Sequence, residues 1–401
     1  MFDNNVISNV EIQLLELENQ YNGKKLDLTN IFISLSLYED IFTHFSTAKL
    51  IIEDSFDLQQ TVPLIGGEKI RVLFLSQNDN EPKRRTFEIY KIEKDSKETV
   101  DSKNAKIYIL YLASKEYLID GGRSISKRFY DKPSAILKYI LKTALESNKR
   151  FEFSYEDDKK IDFWANFWTP SQTIRYMNTI TKRRDIADYL LFENKKGFHY
   201  MSLYDLLNES PTHKLMFVDE LTSKYNRDQI TKFILNKYFN IIELNEIGAF
   251  GNTVFKYEDY TYAYSKFQHD FKSITEFNPS LGKKVQFYDY FKNNNDIITT
   301  HKDNDLVSKR NVILKALDKY HMIIQLPGDS TKTIGQVYEI DLKQKIRDKS
   351  THNELLTGNW FVTNVRHEIL KSGEYTQNIK VVKNAFFHYN NTDNVIGPRN
   401  I

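Results

Sequence analysis

The stretch GGEKIRVLF at residues 66–74 has a counterpart near the far end of the chain, IGQVYEIDL at residues 334–342. Each is a glycine-led strand pattern, and each is the second of four strand-like segments that follow in the same order. The remaining segments are 45–55 (FSTAKLIIEDS), 86–95 (TFEIYKIEKD) and 105–114 (AKIYILYLAS) in the first copy, and 317–329 (LDKYHMIIQLPGD), 359–370 (NWFVTNVRHEIL) and 376–385 (TQNIKVVKNA) in the second. The repetition predicts a divergently duplicated domain. A trimer of such chains would therefore present six similar units.

The composition is that of a folded, multidomain protein. The chain has 401 residues, 40% of them hydrophobic and 14% aromatic, enough for two or three packed domains. Its formal net charge is +2, so no overall excess of basic residues indicates nucleic-acid binding. The absence of cysteine excludes disulfides, thiolate nucleophiles and cysteine zinc sites, and it fits assembly in a reducing compartment.

Neither a membrane span nor a secretory signal is visible in the sequence. No apolar run approaches the roughly 20 residues that cross a bilayer. The N-terminus, MFDNNVISNVEIQ, lacks a basic segment followed by an apolar one. We therefore expect a soluble protein made in the cytoplasm, without stable membrane insertion.

Residues 6–114 carry the period-two alternation of antiparallel β-strands. One example is Ile31, Ile33, Leu35 and Leu37, which alternate with Phe32, Ser34 and Ser36. Residues 70–75 are mostly apolar on both faces, which predicts a strand inside a barrel or sandwich, or one covered by a neighbour. Five or six such strands predict a small barrel.

Helical patterns begin after residue 118. A helix is predicted over 131–147, with Asp131 as its N-cap and Pro133 in its first turn. A second helix begins at Thr169, where Thr-Pro-Ser-Gln has the form of a capping box. A hairpin follows over 189–203, with Gly197 in its turn.

Residues 211–305 are harder to interpret. Residues 233–244 fit a strand or a helix, residues 254–271 are Tyr-rich and favour a strand, and residues 293–305 read as a polar loop. A helix is predicted over 309–320. The predicted fold class is α+β, mainly β, with two similar antiparallel β-barrel domains and an inserted mixed α/β domain. The predicted divisions are 1–117 for the first barrel, 118–210 for the mixed domain (with 265–305 as a candidate continuation), 211–264 with 306–390 for the second barrel, and 391–401 for a tail.

No catalytic, cofactor-binding or metal-binding residues can be selected from the sequence. The nine histidines show no HExxH or paired helical spacing, and neither GxxxxGK[ST], GxGxxG nor GxSxG occurs. The acidic group Glu152, Glu156, Asp157 and Asp158 could supply a glycosidase pair but is more typical of a solvated turn. We therefore predict a protein that is not an enzyme and needs no cofactor.

Two further clusters have a structural and a functional interpretation. The run Lys182-Arg183-Arg184 could contact phosphate, although basic residues also complement a helix C-terminus, which we favour. Trp164, Phe167 and Trp168 could form a carbohydrate platform, but such a run before a helix more often packs into a core, the interpretation preferred here.

Three stretches resemble the baseplate hub proteins of contractile-tailed bacteriophages. One is the duplicated barrel pattern. Another is FWTPSQ at residues 167–172, leading into a helix and then YLLFENKKGFHY at residues 189–200. The last is GNWFVTNVRHE at residues 358–368, with Asn384-Ala385 closing the next strand. The resemblance spans nearly the whole chain in element order and is weakest over 211–305; related rings occur in type VI secretion spikes.

The resemblance implies a structural virion protein of the tail baseplate, assembled in the host cytoplasm. It implies a homotrimer whose two tube domains per chain make a pseudo-sixfold ring, joining the sixfold tail tube to the threefold central spike. The implied partners are the central spike protein, tail tube or tube-initiator proteins and other baseplate proteins. DNA would pass through the lumen without specific binding, and we expect more acidic than lysine side chains there. The alternatives are a virion-associated glycan or cell-wall hydrolase, suggested by the loop near Asp157, and a carbohydrate-binding module, suggested by the Tyr-rich residues 257–264.

Overall fold

The computed structural model describes residues 8–54, 58, 62, 64–95, 106–154, 160–182, 186–218, 226–237, 240–246, 251–258, 263–270, 296–299, 304–318, 320–346, 349–352 and 356–383. Within this part the chain is mainly β, and a single 15-stranded mixed sheet dominates it. None of the described helices has the length and apolar character needed to cross a bilayer.

The first part of the chain is mainly β among its described residues. Its strands are β1 (Ser8–Glu18), β2 (Lys25–Asp27), β3 (Phe32–Asp40), β4 (Thr47–Asp54), β5 (Lys69–Ser76), β6 (Lys83–Asp95) and β7 (Lys106–Ala113). The alternation predicted for residues 31–37 is wrong at its start. The register of β3 shifts between Phe32 and Ser34, so that Phe32 is buried and Ile33 faces solvent.

The middle part is mixed. Its elements are α1 (Lys115–Gly122), β8 (Ile125–Asp131), α2 (Pro133–Tyr139), a π-helical turn (Ile140–Ala144), β9 (Phe151–Phe153), β10 (Ile161–Trp168), α3 (Pro170–Ile180), β11 (Tyr189–Asn194), β12 (Gly197–Ser202) and α4 (Leu203–Leu207). Asp131 does not cap α2, because it ends β8 and Lys132 occupies the N-cap position. The capping box at Thr169 is confirmed in both of its hydrogen bonds. Gly197 has φ +129°, and a Cβ there would lie 2.3 Å from the Arg150 carbonyl oxygen, so the turn requires glycine.

The last part returns to the large sheet. Its elements are β13 (His213–Val218), β14 (Gln229–Ile230), β15 (Lys232–Lys237), α5 (Ile241–Glu246), β16 (Gly251–Glu258), β17 (Ala263–Asp270), β18 (Asp296–Thr299), α6 (Asn304–Leu317), β19 (Tyr320–Pro327), β20 (Val337–Ile346), β21 (Lys349–His352), β22 (Gly358–Leu370) and β23 (Glu374–Lys383).

Several predictions for this part need correction. The undecided residues 233–244 divide between β15 and α5. The Tyr-rich strand is a hairpin of β16 and β17, which forms a separate small sheet with β18. The polar loop predicted at 293–305 contains β18 and the start of α6. The helix predicted to reach Tyr320 ends at Leu317, because Tyr320 already pairs with β23 as a strand residue.

The two repeats have the same strand pairing. In the first repeat, β4 to β7, strand β4 pairs with β7, β5 with β6, and β6 with β7. In the second repeat, β19, β20, β22 and β23, strand β19 pairs with β23, β20 with β22, and β22 with β23. The strand β3 beside β4 corresponds to β15 beside β19. One pairing differs: β1 is antiparallel to β5, whereas β13 is parallel to β20.

The correspondence extends to single residues. Gly67 and Gly335 both have φ +81°. The Gly67 amide donates to the Ile89 carbonyl, and the Gly335 amide donates to the Val362 carbonyl. Each acceptor strand then has a bulge directly after this residue, between Ile89 and Lys91 in β6 and between Val362 and Asn364 in β22. Identical backbone details at matched positions support the predicted duplication.

The long hairpin of β22 and β23 belongs to both repeats. Beyond its contacts within the second repeat, β22 pairs with β3, and the start of β23 pairs with β1. The pairing therefore runs in a closed circuit through β3, β4, β7, β6, β5, β1, β23 and β22. Ile369 and Tyr375 of this hairpin lie in the hydrophobic core of the first repeat. The hairpin thus completes a core that the first repeat does not close alone.

Candidate functional site

The surface where the two repeats meet is the most distinctive feature of the described molecule. Residues 364–370 of β22 lie antiparallel to residues 34–40 of β3, with Arg366 opposite Tyr38 and His367 opposite Leu37. On the outer face, the Arg366 guanidinium lies 5.8 Å from the centre of the Tyr38 ring. We call this seam the repeat junction.

A buried polar cluster lies beneath the repeat junction. The Glu39 carboxylate of β3 accepts a hydrogen bond from Arg85 of β6 at 2.6 Å and a further one from the Thr333 hydroxyl. On the other side, the His367 ring lies 2.8 Å from the Tyr375 hydroxyl. Groups from both repeats therefore satisfy one another, which is what buried polar atoms require.

The pKa values in this cluster follow from burial and pairing. Burial alone would raise the pKa of Glu39, but Arg85 and the Thr333 hydroxyl outweigh it and hold that pKa below its ordinary value. Burial lowers the pKa of His367 to about 4. Near neutral pH the junction therefore holds an ionised Glu39, its partner Arg85 and a neutral His367.

A second buried group ties the loop before β20 to the rest of the sheet. Lys332 is buried, and its Nζ lies 3.0 Å from Asp329 and 3.2 Å from Asp228. Burial would raise the pKa of Asp329, but Lys332 and Thr331 lower it overall. The same loop meets the first repeat, where Asn78 donates to the Gly328 carbonyl at 2.9 Å.

The mixed middle part is attached through another ion cluster. The Lys149 ammonium lies 2.7 Å from Glu116 and 2.5 Å from Glu193, while Glu193 also accepts from the Ser46 amide at 2.9 Å. Burial would lower the pKa of Lys149, but the two carboxylates raise it overall. Each buried carboxylate in these clusters faces a cation or a hydrogen-bond donor, so the clusters hold the surrounding elements together.

A groove of about 1440 Å³ lies between the sheet and the helices α1, α3 and α6. Its walls include Arg175, Arg366 and Lys380 together with Asp40 and Asp120. Asp120 already accepts a hydrogen bond from the Ser171 amide at 2.7 Å. The mixed charges suit contacts with protein or solvent rather than one small charged ligand.

Among the described residues, the acidic candidates do not form a catalytic pair of carboxylates. Glu152 pairs with Arg150 at 2.6 Å and lies 3.3 Å from His199, while Glu156, Asp157 and Asp158 lie outside the described residues. Over the described ranges, no three His, Asp or Glu side chains converge as metal ligands would. Arg183 and Arg184 of the basic run also lie outside the described residues.

The core interpretation of the aromatic run is wrong for two of its three members. Trp164 is 59% exposed and Phe167 is 72% exposed, because among the described strands β10 pairs only with β8. Trp168 alone packs inward, 5.3 Å from the Tyr176 ring. Of the Tyr-rich candidates, Tyr257 and Tyr264 are backbone partners in the hairpin of β16 and β17.

The residues of the repeat junction were missed by sequence reasoning. Glu39 and His367 stand at inward-facing positions of predicted strands, where apolar residues are the rule. A polar residue at a buried strand position is the sequence feature that could have indicated this cluster. It does not identify the partners of Glu39, because Arg85 and Thr333 are remote in sequence.

The comparisons with known proteins support a tail-protein fold. No family model matches the chain, and no curated protein matches it. A tail protein from Neisseria meningitidis MC58 is similar over 95% of this chain and 99% of its own, at 10% identity and a TM-score of 0.58. The 43 kDa tail protein of prophage MuSo2 from Shewanella oneidensis is similar over 92% of this chain and 98% of its own, at 8% identity and a TM-score of 0.59.

A further similarity is to a chain of the Francisella PdpA-VgrG complex. It covers 96% of this chain and 60% of the other, at 12% identity and a TM-score of 0.51. These identities are low, and the similarities establish a shared fold. The sequence-based resemblance to phage hub proteins is confirmed at that level.

Proposed function

We propose that this chain is a structural tail protein of a contractile-tailed bacteriophage, acting as the central hub of the baseplate. Three copies form a ring of six similar barrel units that joins the sixfold tail tube to the threefold central spike. The carrying observation is the pair of matched repeats joined through one shared hairpin. The tail-protein fold and the buried ion pairs of Glu39 with Arg85 and of Lys149 with Glu116 and Glu193 support the same proposal.

The remaining parts of the proposal follow from such a ring. Its partners are the spike protein, tail tube or tube-initiator proteins and other baseplate proteins, and its place is the virion. DNA passes through the lumen without specific binding, which favours a lumen surface with more acidic than lysine side chains. The proposed role of the protein is structural rather than catalytic.

The first experiment is the native mass by light scattering. The chain has a mass of 47.4 kDa, so a trimer would weigh about 142 kDa, three times that value. A trimer that shows six densities around a central opening in micrographs supports the proposal. A protein that stays monomeric, alone and with candidate spike and tube proteins, contradicts it.

A carbohydrate-binding surface is the second candidate. Trp164 and Tyr130 share the exposed outer face of the small sheet formed by β8 and β10. Exposed aromatic rings of this kind can stack on sugar rings. Quenching of tryptophan fluorescence by cell-wall glycan fragments, lost in Trp164→Ala, would favour it; unchanged fluorescence would count against it.

A further inference from the structure

Two strand edges that match those of the repeat junction are unpaired among the described strands. Within the chain, β22 pairs with β20 along the first part of one edge and with β3 along the remainder of that same edge. In the first repeat β6 corresponds to β22, and β5 corresponds to β20. Strand β5 covers β6 only as far as Glu88, so along residues 91–95 this edge has no partner among the described strands.

The matching edge lies at the other end of the large sheet. Strand β15 corresponds to β3, because Phe233 faces Ile324 of β19 as Leu35 faces Leu50 of β4. The second edge of β3 is occupied by β22, whereas the sheet ends at β15 among the described strands. Exposed edges with free amide and carbonyl groups recruit further strands.

We propose that residues 91–95 of β6 in one copy pair antiparallel with β15 of a second copy, repeating the repeat junction between chains. This inference rests on the proposed ring and names its interface. Each copy offers one edge of each kind, so the contact is head-to-tail and closes when three copies complete a circle. Six equivalent seams then result, three within chains and three between them.

The internal junction also sets the register. His367 lies opposite Leu37. Counting from the matched bulges, His367 corresponds to Lys94, and Leu37 corresponds to Leu235. Lys94 of one copy therefore lies opposite Leu235 of the next. One step along, Glu93 lies opposite Lys237, because β15 has a bulge between Leu235 and Lys237.

The exposure of β15 agrees with a missing neighbour. Ile234 is 47% exposed, whereas Ser36 at the matched position of β3 is 4% exposed beneath its partner strand. Phe233 and Leu235 pack against the core on the other face, as Leu35 and Leu37 do. A second strand along this edge would cover Ile234 and complete the pattern.

Cysteine cross-linking tests the register directly, since the chain has no cysteine of its own. The two double variants are Lys94→Cys with Leu235→Cys, and Glu93→Cys with Lys237→Cys. Adjacent antiparallel pairs alternate between hydrogen-bonded and non-hydrogen-bonded sites, so one of the two brings its side chains closest. We expect mild oxidation to yield covalent trimers on non-reducing gels. Mixing the two single-cysteine proteins of one pair should yield dimers and nothing larger, whereas each alone should yield only monomer.

A matched pair of charge substitutions gives a second measurement. Ile234→Lys should raise the concentration at which trimers dissociate by roughly tenfold or more, because it places a charge in the seam. Ile242→Lys, on exposed α5 outside the seam, should leave it unchanged.

The possible failures are distinguishable. One outcome is that light scattering shows trimers, neither cysteine pair cross-links, and Ile234→Lys does not weaken the trimer. This outcome would overturn the proposed interface but would not contradict the hub proposal. Cross-linked chains of varied length with no closed trimer would support the pairing and contradict the ring. A protein that neither cross-links nor assembles would overturn the pairing.

Discussion

Replacing Arg85 by methionine tests whether the buried ion pair holds the repeat junction. The substitution removes the cation 2.6 Å from Glu39 and keeps an unbranched apolar side chain. At an effective dielectric constant of 20, opposite charges about 4 Å apart attract by roughly 4 kcal/mol. Removing one member of a buried pair costs about 3–5 kcal/mol, because the other charge stays buried alone. We expect Arg85→Met to lower the free energy of unfolding by about 3 kcal/mol at pH 7.

The pH dependence makes this prediction sharper. In the native protein the pKa of Glu39 lies below its ordinary value, so the stability it contributes is present above that ordinary value and is lost as the pH falls through the lowered one. In Arg85→Met, burial without the cation raises the pKa of Glu39. The variant therefore loses stability as the pH rises through that raised pKa. The stability difference between the two proteins should therefore narrow from pH 7 to pH 5.

Equilibrium urea unfolding followed by tryptophan fluorescence measures both quantities. The control is Arg128→Met, which breaks an exposed pair with Asp162 on the small outer sheet and should change stability little. A loss below about 1 kcal/mol for Arg85→Met, or a difference that stays constant with pH, would refute the reasoning.

Three further perturbations have expected outcomes. The pKa of His367 in the native protein is about 4, below its ordinary value of 6.5, so acidification from pH 7 to pH 4 should lower the free energy of unfolding by about 3 kcal/mol. His367→Gln should flatten this part of a profile of thermal midpoint against pH. Gly328→Ala should cost about 1–3 kcal/mol, because its Cβ would lie 2.1 Å from the Tyr375 ring, whereas Gly121→Ala meets open space and should cost less in the same denaturation assay. Thr169→Ala should cost about 1 kcal/mol by removing the cap of α3, and an unchanged midpoint would contradict the role of the box.

The sequence predicted those features that depend on local patterns. The period-two alternation located most strands of both repeats, and the Thr169 box located the start of α3, because each signal lies within a few residues. The first strand of the hairpin at residues 359–370 was placed correctly, yet its pairing with β3 was not anticipated. That pairing depends on which distant edges meet, and such information is not local.

The missed features share this cause. The bulge between Phe32 and Ser34 places Ile33 on the solvent face of the sheet, and the alternation of apolar and polar residues alone does not predict a bulge. Trp164 is exposed because β8 is the only strand paired with β10 in the described part of the chain, and this depends on the fold rather than on the aromatic run itself. The partners of Glu39 are likewise decided by topology: Thr333 lies 294 positions later.

The shared hairpin has a consequence for how the chain is made. Lys371, at the turn of this hairpin, contacts Asn30 across 341 positions of sequence. A ribosome that has released the first repeat has not yet synthesised the strands that finish its core and cover the edge of β3. During elongation that edge stays open, a condition under which neighbouring nascent chains on one message can associate wrongly. Production of the protein should therefore be sensitive to translation speed and chaperone supply, even though the finished molecule is well packed.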